Sequence, residues 1–446
     1  MSEPPRFLVG YGRADITPQE SVPLRGYGST SNRMSNHVLD PLYATCLAFT
    51  DAEGATVLIY ALDMTAAGSR WPTDIVPAIA QATGIAQEYI LCSATHSHSA
   101  PDMENDEQPS IPRHLEYMKR QSIQAAQDAL ADRKPATLFG ATAQTAGLNF
   151  VRRYILQDGT PAGDNYGHFD QSPIARHESE ADHSMQLLKF VREGGDDVII
   201  ANFQTHPHRT GGSKKYDVSA DIVGIMRMEM EAQTGCRFAY FTGGSGNVNP
   251  TSRIKEENCH HTYVEHGKAM AQAALSVSDR YRPLMLGAVR LDRNVLSCPT
   301  DHTQDHRAEE ARALYRQFAT SGNRDTWRAE ALRLGYNSIY HAGAIASKCD
   351  RPAAIDVVLN CVSIGDAAFC FAPYEMFDTN GMQIKEGSPF PMTMILTCAN
   401  GSNRGYVPSA LGFQNGGYSC DACWFLPGAG ERFAEEFIAG LKRLRH

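Results

Sequence analysis

The sequence predicts an α/β fold, a mixed β-sheet core flanked by helices, and three observations predict it. Apolar runs of strand length alternate with helix-like segments along almost the whole chain. Polar residues able to do chemistry gather just after those apolar runs, where α/β proteins build their sites. The 446 residues, 42% hydrophobic and 20% charged, have an ordinary globular composition and enough apolar surface for a large core.

In chain order the expected strands are 55–62, 89–94, 185–191, 198–203, 237–241, 354–364, 368–371 and 393–397, each a short apolar run. The expected helices are 73–82, 113–129, 220–233, 264–276, 307–320, 326–334, 374–384 and 431–444. Two polar stretches break the rhythm, 101–112 and the longer 153–183, which holds Asp158-Gly159-Thr160-Pro161 and several His and Asp residues. Structureless loops of that second length are usually functional or disordered, so 153–183 is expected to cover a site. The helical pair within 307–334 separates strand-like runs and carries high charge. Residues 300–350 are therefore expected to form a helical insertion within a single domain spanning 1–446.

Composition excludes several classes of function. The net charge of −9 is spread along the chain with no basic block beyond pairs such as Lys214-Lys215, so no nucleic-acid partner is expected. The segment Met1-Ser2-Glu3-Pro4-Pro5-Arg6-Phe7 has no apolar signal region, and no later stretch approaches the roughly 20 apolar residues of a membrane helix. A cytoplasmic protein without stable membrane association is expected, acting on a small molecule, with homo-oligomerisation left open. The 11 cysteines are odd in number and lack a framework spacing, which fits a reducing compartment. Cys420-Asp421-Ala422-Cys423 has no second CxxC and reads as structural.

The most informative motif is His96-Ser97-His98, at the end of the apolar run Tyr89-Ile90-Leu91-Cys92-Ser93-Ala94-Thr95. In an extended segment residues two apart project to the same side, so both imidazoles would address one point, and a divalent metal is the commonest reason for that. An isolated pair is a weak signal until further ligands arrive from elsewhere. Other strand ends offer them: Gln204-Thr205-His206-Pro207-His208, the loop Gly243-Gly244-Ser245-Gly246-Asn247-Val248-Asn249-Pro250, Pro373-Tyr374-Glu375, and Asn400-Gly401-Ser402-Asn403-Arg404-Gly405-Tyr406-Val407-Pro408. Taken singly, His206 and His208 read as satisfied loop histidines, Tyr406 as a packed aromatic, and Glu375 as a carboxylate at a helix N-terminus.

In this order the segments resemble the neutral/alkaline nonlysosomal ceramidase family. The resemblance begins at Val9-Gly10-Tyr11-Gly12-Arg13-Ala14-Asp15-Ile16-Thr17-Pro18 and Gly26-Tyr27-Gly28, and runs through Ser93 to Pro101 around the two histidines. It continues to Gly405-Tyr406-Val407-Pro408 and Gly416-Gly417-Tyr418. It implies the fold of that family's catalytic domain, with His96, His206, Glu375 and Tyr406 as zinc ligands and His98 and Tyr418 beside the metal. Imidazoles, a carboxylate and a phenolate all suit Zn²⁺ and leave a position for water or substrate.

One departure matters. The family carries a serine, proposed as catalytic, in a Gly-Asp-x-Ser-Pro loop, and Asn249 stands in that position here. An amide cannot serve as an ordinary nucleophile. The expected function is therefore a zinc-dependent hydrolase that cleaves an amide (N-acyl) bond in a small soluble substrate through metal-activated water. In that reading His98 exchanges protons and Asn249 orients substrate or water. Tyr418 or the Gly243–Gly246 backbone, with Gly244 against the substrate, stabilises the oxyanion. The alternative keeps the metal but changes the reaction to elimination on a uronate-containing or other acidic saccharide. Its carboxylate would meet zinc and Arg152, Arg153 or Arg404 while Tyr418 or His98 removes the adjacent proton. A non-catalytic zinc-stabilised protein fits less well, because structural zinc sites are closed by four Cys/His ligands.

Overall fold

Burial on both faces explains why the strands read as unbroken apolar runs. In the strand Tyr43–Thr50, Ala44, Cys46 and Ala48 join one apolar cluster while Leu47 and Phe49 join another. The next strand, Thr56–Leu62, sends Leu58, Tyr60 and Leu62 to the first cluster and Val57, Ile59 and Ala61 to the second. The computed structural model describes residues 6–27, 33–163, 172–321, 324–401 and 405–445.

Nine strands form the larger sheet. Its path runs through Arg237–Thr242, Val198–Phe203, Ser184–Arg192, Lys134–Gln144, Leu8–Asp15, Tyr43–Thr50, Thr56–Leu62 and Ile90–Ala94, with Arg282–Leu284 attached to Lys134–Gln144. The outermost pair at each end is parallel and the pairs between are antiparallel. A four-stranded sheet of Val289–Pro299, Ala354–Ile364, Ala367–Phe371 and Met392–Leu396 lies against it. Phe49, Phe190 and Phe369 meet between the two sheets, with ring centroids 5.3 Å (Phe49 to Phe190) and 6.1 Å (Phe49 to Phe369) apart.

Helices cover the outer faces, giving four layers, α/β/β/α. Val76–Thr83 and Ser110–Ala131 pack on one part of the large sheet, and Asp221–Thr234 and Tyr263–Leu275 on another. Asp378–Gly387 and Ala429–Arg445 cover the small sheet. Helix Ser110–Ala131 lies directly on the first strand because Gly10 and Gly12 make room: a Cβ there would stand 1.8 Å from the Ala129 carbonyl oxygen and 2.0 Å from that of Ala125.

All eight expected strands are present, and four long ones join them: Leu8–Asp15, Tyr43–Thr50, Lys134–Gln144 and Val289–Pro299. The helix expected at 374–384 begins only at Asp378, because Tyr374 is left-handed (φ 69°) and Glu375–Met376 is a short strand. The expected loop at 153–183 is instead folded: Ile174–His177, Arg153–Leu156 and Pro161–Gly163 make a three-stranded antiparallel sheet, while 164–171 lie outside the described residues. Between Val289–Pro299 and Ala354–Ile364 come three helices, Ala308–Ser321, Arg324–Arg333 and Ile339–Lys348, the last not expected. Among the described residues no helix is long and apolar enough to cross a membrane.

Candidate metal centre

The chemistry-bearing loops leave the carboxyl ends of Ile90–Ala94, Val198–Phe203, Arg237–Thr242, Ala367–Phe371 and Met392–Leu396. Threonine and serine hydroxyls tie those ends together. Thr242 donates to the Thr95 carbonyl (2.6 Å), Thr397 to that of Gly243 (2.8 Å), and Ser93 to that of Thr397 (2.7 Å). Backbone strain concentrates here as well. Of the five non-glycine residues with positive φ among those described, His96 (69°), Tyr374 (69°), Cys398 (51°) and Asn400 (52°) belong to these loops.

His96, His98 and His206 offer ring nitrogens that all lie within 4.8 Å of one another. The convergence of His96 and His98 does not come from a strand pleat, as the sequence suggested. The strand ends at Ala94, and His96 adopts its left-handed turn while its N–H bonds to the Met64 carbonyl (2.8 Å). Each of the two deepest imidazoles is oriented by a main-chain carbonyl: His96 Nδ1 lies 2.6 Å from the Thr65 oxygen and His206 Nδ1 3.0 Å from that of Val248. A carbonyl only accepts, so Nδ1 carries the hydrogen and Nε2 turns its lone pair inward. His98 Nε2 stands 3.3 Å from His96 Nε2.

Glu375 reaches the same point. Its Oε2 is 3.1 Å from His206 Nε2 and 3.4 Å from His96 Nε2. Tyr406 is its cross-strand partner in the parallel pair Glu375–Met376 and Tyr406–Val407. The Tyr406 hydroxyl accepts from Arg152 Nη2 (3.1 Å), which also donates to the Gly246 carbonyl (2.7 Å). Tyr418, opening a short helix after Gly417, sets its ring 5.6 Å from that of Tyr406.

Burial disfavours charge on every member, and neighbouring charges then sort them. Glu375 nevertheless sits well below the usual carboxylate range because His96 and His206 face it. Burial would also lower His96, but Cys398 and Glu375 hold it above its usual value. His206 falls to about 4 through burial and then Arg152, and His98 falls well below its usual value through burial and then His96. The Tyr406 phenol is raised by burial and by Glu375, and Tyr418 is raised to about 12 by the same two causes. Inward imidazole lone pairs fixed from behind, a carboxylate and a buried phenol form a donor set that suits a divalent transition-metal ion, which would itself reverse the charge balance around these groups.

The other expected site residues fall in different places. Asn249 is buried with its Oδ1 3.0 Å from His208 Nε2, so His208 is satisfied there. Gly244 is packed on backbone, where a Cβ would come 3.0 Å from the Phe377 carbonyl oxygen, so its neighbour is the chain itself. Arg153 is engaged by Glu178 (2.7 and 3.0 Å) and the Gly412 carbonyl (2.9 Å), a structural clamp rather than a cation waiting for an acid. Arg404 lies outside the described residues.

Several contributors escaped sequence reasoning. Thr65 and Val248 act through main-chain carbonyls, which leave no residue-type signal. Cys398 Sγ lies 3.3 Å from His96 Nδ1. Tyr27 donates to the His208 carbonyl (2.6 Å) and packs against His98, and its place in Gly26-Tyr27-Gly28 could have drawn attention to it. Asn247 exchanges two hydrogen bonds with Asp378 (2.7 and 2.9 Å), whose carboxyl burial raises to about 6. An amide at 247 spares that buried acid a second acid beside it. The Cys420 and Cys423 thiols are each pushed up to about 12, chiefly by burial, which suits packing rather than redox chemistry.

A family model for neutral/alkaline non-lysosomal ceramidase, N-terminal, matches residues 7–249. Among solved structures the chain is similar to neutral ceramidase from Pseudomonas aeruginosa, with a TM-score of 0.73 and 16% identity over 99% of this chain and 74% of that one. It is also similar to a ceramidase complexed with C2, with a TM-score of 0.74 and 14% identity over 99% of this chain and 75% of that one. At these identities the two structures establish a shared fold.

Proposed function

The chain belongs to the neutral/alkaline non-lysosomal ceramidase family, a family of hydrolases, and from that premise we propose that it is a zinc-dependent amidohydrolase. It cleaves an N-acyl bond in a small soluble substrate through metal-activated water rather than a serine. The observation that carries this reading is a pairing: carbonyl-oriented imidazoles converge on Glu375, while the family's serine position holds Asn249, an amide without nucleophilic character.

Zinc held by His96, His206, Glu375 and Tyr406 supplies Lewis acidity and a water that ionises near neutral pH. His98, by distance equally suited to the ligand group, accepts and returns a proton at Nε2. Tyr418 donates its phenolic hydrogen to the developing oxyanion, and Asn249, fixed on His208, orients the substrate. Arg152 braces the Tyr406 hydroxyl. Residues 1–446 act as one catalytic unit in this reading, with 300–350 as a helical insertion. All eleven cysteines are unpaired thiols, which supports a cytoplasmic location, and the net charge of −9 supports a small-molecule partner rather than a nucleic acid.

Elimination from an acidic saccharide remains the second reading, and buried Arg152 beside the centre is the observation in its favour. Of the three arginines it invoked, Arg153 is already clamped on Glu178. Mass spectrometry of products in ¹⁸O water, with metal-analysed protein and panels of N-acyl compounds and uronate oligosaccharides, separates the two. Hydrolysis puts one solvent oxygen into a carboxylic acid and releases an amine. An unsaturated, ultraviolet-absorbing acid without ¹⁸O, or zinc-loaded protein inert towards every N-acyl compound, overturns the hydrolytic reading.

A further inference from the structure

The four-stranded sheet overhangs the edge of the larger one, and the overhang walls a second cavity. On its inner face Val362, Ile364 and Leu291 pack against the larger sheet. Farther along the same face that apolar stripe gives way to Asn360, Val358 and, opposite Asn360 in register, Arg293. The larger sheet ends at Ile90–Ala94, so nothing in it covers those positions. The resulting cavity is about 650 Å³ and is closed on other sides by Trp71, Leu91, Tyr374 and Asn400. None of the imidazoles of the metal centre lines it.

Its polar groups are incompletely used. Trp71 is 1% exposed and Asn360 4%, yet Trp71 Nε1 and Asn360 Oδ1 have no hydrogen-bond partner among the described residues. Asn400 accepts from the Cys92 N–H (2.9 Å) through Oδ1, which commits Nδ2 as a donor, and that atom also has no partner there. Buried polar atoms left unpaired are costly, and a stripe otherwise built of Val, Ile and Leu has no packing reason to include an asparagine. Two donors and an acceptor in one cavity ask for groups that both give and take hydrogen bonds. Charges of both signs at the rim, Arg293 with Glu88 and Asp356, disfavour a strongly ionic ligand.

We propose that this cavity is a saccharide-binding site, separate from the metal centre, that takes a neutral mono- or disaccharide. Hydroxyls match the mixed donors and acceptor, the carbon faces of a sugar match the Trp71, Leu91 and Val358 walls, and the volume lies within the range of small-molecule sites.

Calorimetric titration of the full chain with D-glucose, cellobiose and, as an anionic apolar control, sodium hexanoate tests it. The sugars are expected to bind and hexanoate is not. Asn360→Leu is expected to weaken sugar binding by about tenfold. The same variant keeps or raises the melting temperature, because it removes an unpaired buried oxygen, so loss of fold cannot be mistaken for loss of the site. Arg293→Ala, at the rim, weakens binding less. Absence of sugar binding, which would mean the cavity holds water only, overturns the proposal. So does sugar binding that Asn360→Leu leaves intact, or tighter binding of hexanoate.

Discussion

The imidazoles of the centre and its carboxylate are held by different means. His96 and His206 ride on loops of the larger sheet and are fixed from behind by the carbonyls of Thr65 and Val248. Glu375 and Tyr406 come from beyond the smaller sheet and are fixed side by side as neighbours in a two-strand ladder. The first half contributes ligands whose aim is set by single hydrogen bonds, and the second contributes a pair whose aim is set by register. The centre therefore depends on the two sheets keeping their face-to-face position, and on the polar stitches that cross between them.

The largest effect expected from this contrast is at the ligands. His206→Ala should weaken metal binding by more than the roughly 10–100-fold typical of changes behind a ligand, and turnover should fall to background. Glu375→Ala, with three imidazoles left, should retain more metal. Elemental analysis after dialysis checks the order, and the reverse ranking would break the comparison. Next comes the interface between the sheets: Phe369→Ala should cost about 3–5 kcal/mol of stability in denaturant unfolding, because its ring is buried against Phe49. Tyr418→Phe should lower kcat by about 10²-fold with melting temperature unchanged, whereas an unchanged kcat would remove the phenol from the chemistry.

The smallest effect concerns Asp182, which receives Lys385 from the helix over the smaller sheet at 2.8 Å. Burial opposes its ionisation, yet Lys385 and Ser184 hold its carboxyl below the usual range. A lowered folded value means that its contribution is complete above the unfolded value of about 3.9 and is lost as pH falls through the folded one. Asp182→Asn should cost roughly 1–2 kcal/mol at neutral pH and flatten the acid limb of stability against pH, as read by unfolding at stepped pH. An unchanged acid limb would show that the two sheets do not rely on this stitch.

Much of this architecture was legible because strands buried on both faces write themselves as continuous apolar runs. The strands that escaped lack that signature. Leu8–Asp15 carries glycines where a helix rests on it, and Val289–Pro299 alternates with Arg290, Asp292 and Arg293 at a sheet edge. At the site, the segments carrying His96, His206, Glu375 and Tyr406 could be named from their order along the chain. Their mutual placement could not, because it depends on left-handed turns at His96 and Tyr374 and on main-chain carbonyls, neither of which has a residue-type signal. The segment 153–183 misled because its polar composition resembles a loop, although its described residues form a small sheet.

Leu8–Asp15 leads the chain yet occupies an interior place in the larger sheet, whereas Glu375, Tyr406 and Tyr418 come from its last quarter. During synthesis the central ribbon is exposed early, and its partner in the antiparallel ladder at 134–135 follows more than a hundred residues later. The nascent polypeptide thus carries an unpaired hydrophobic edge for much of its translation, a state that invites chaperones. Its histidines can gather at the ribosome well before the acidic and phenolic ligands arrive, so capacity for catalysis is withheld until elongation is nearly finished.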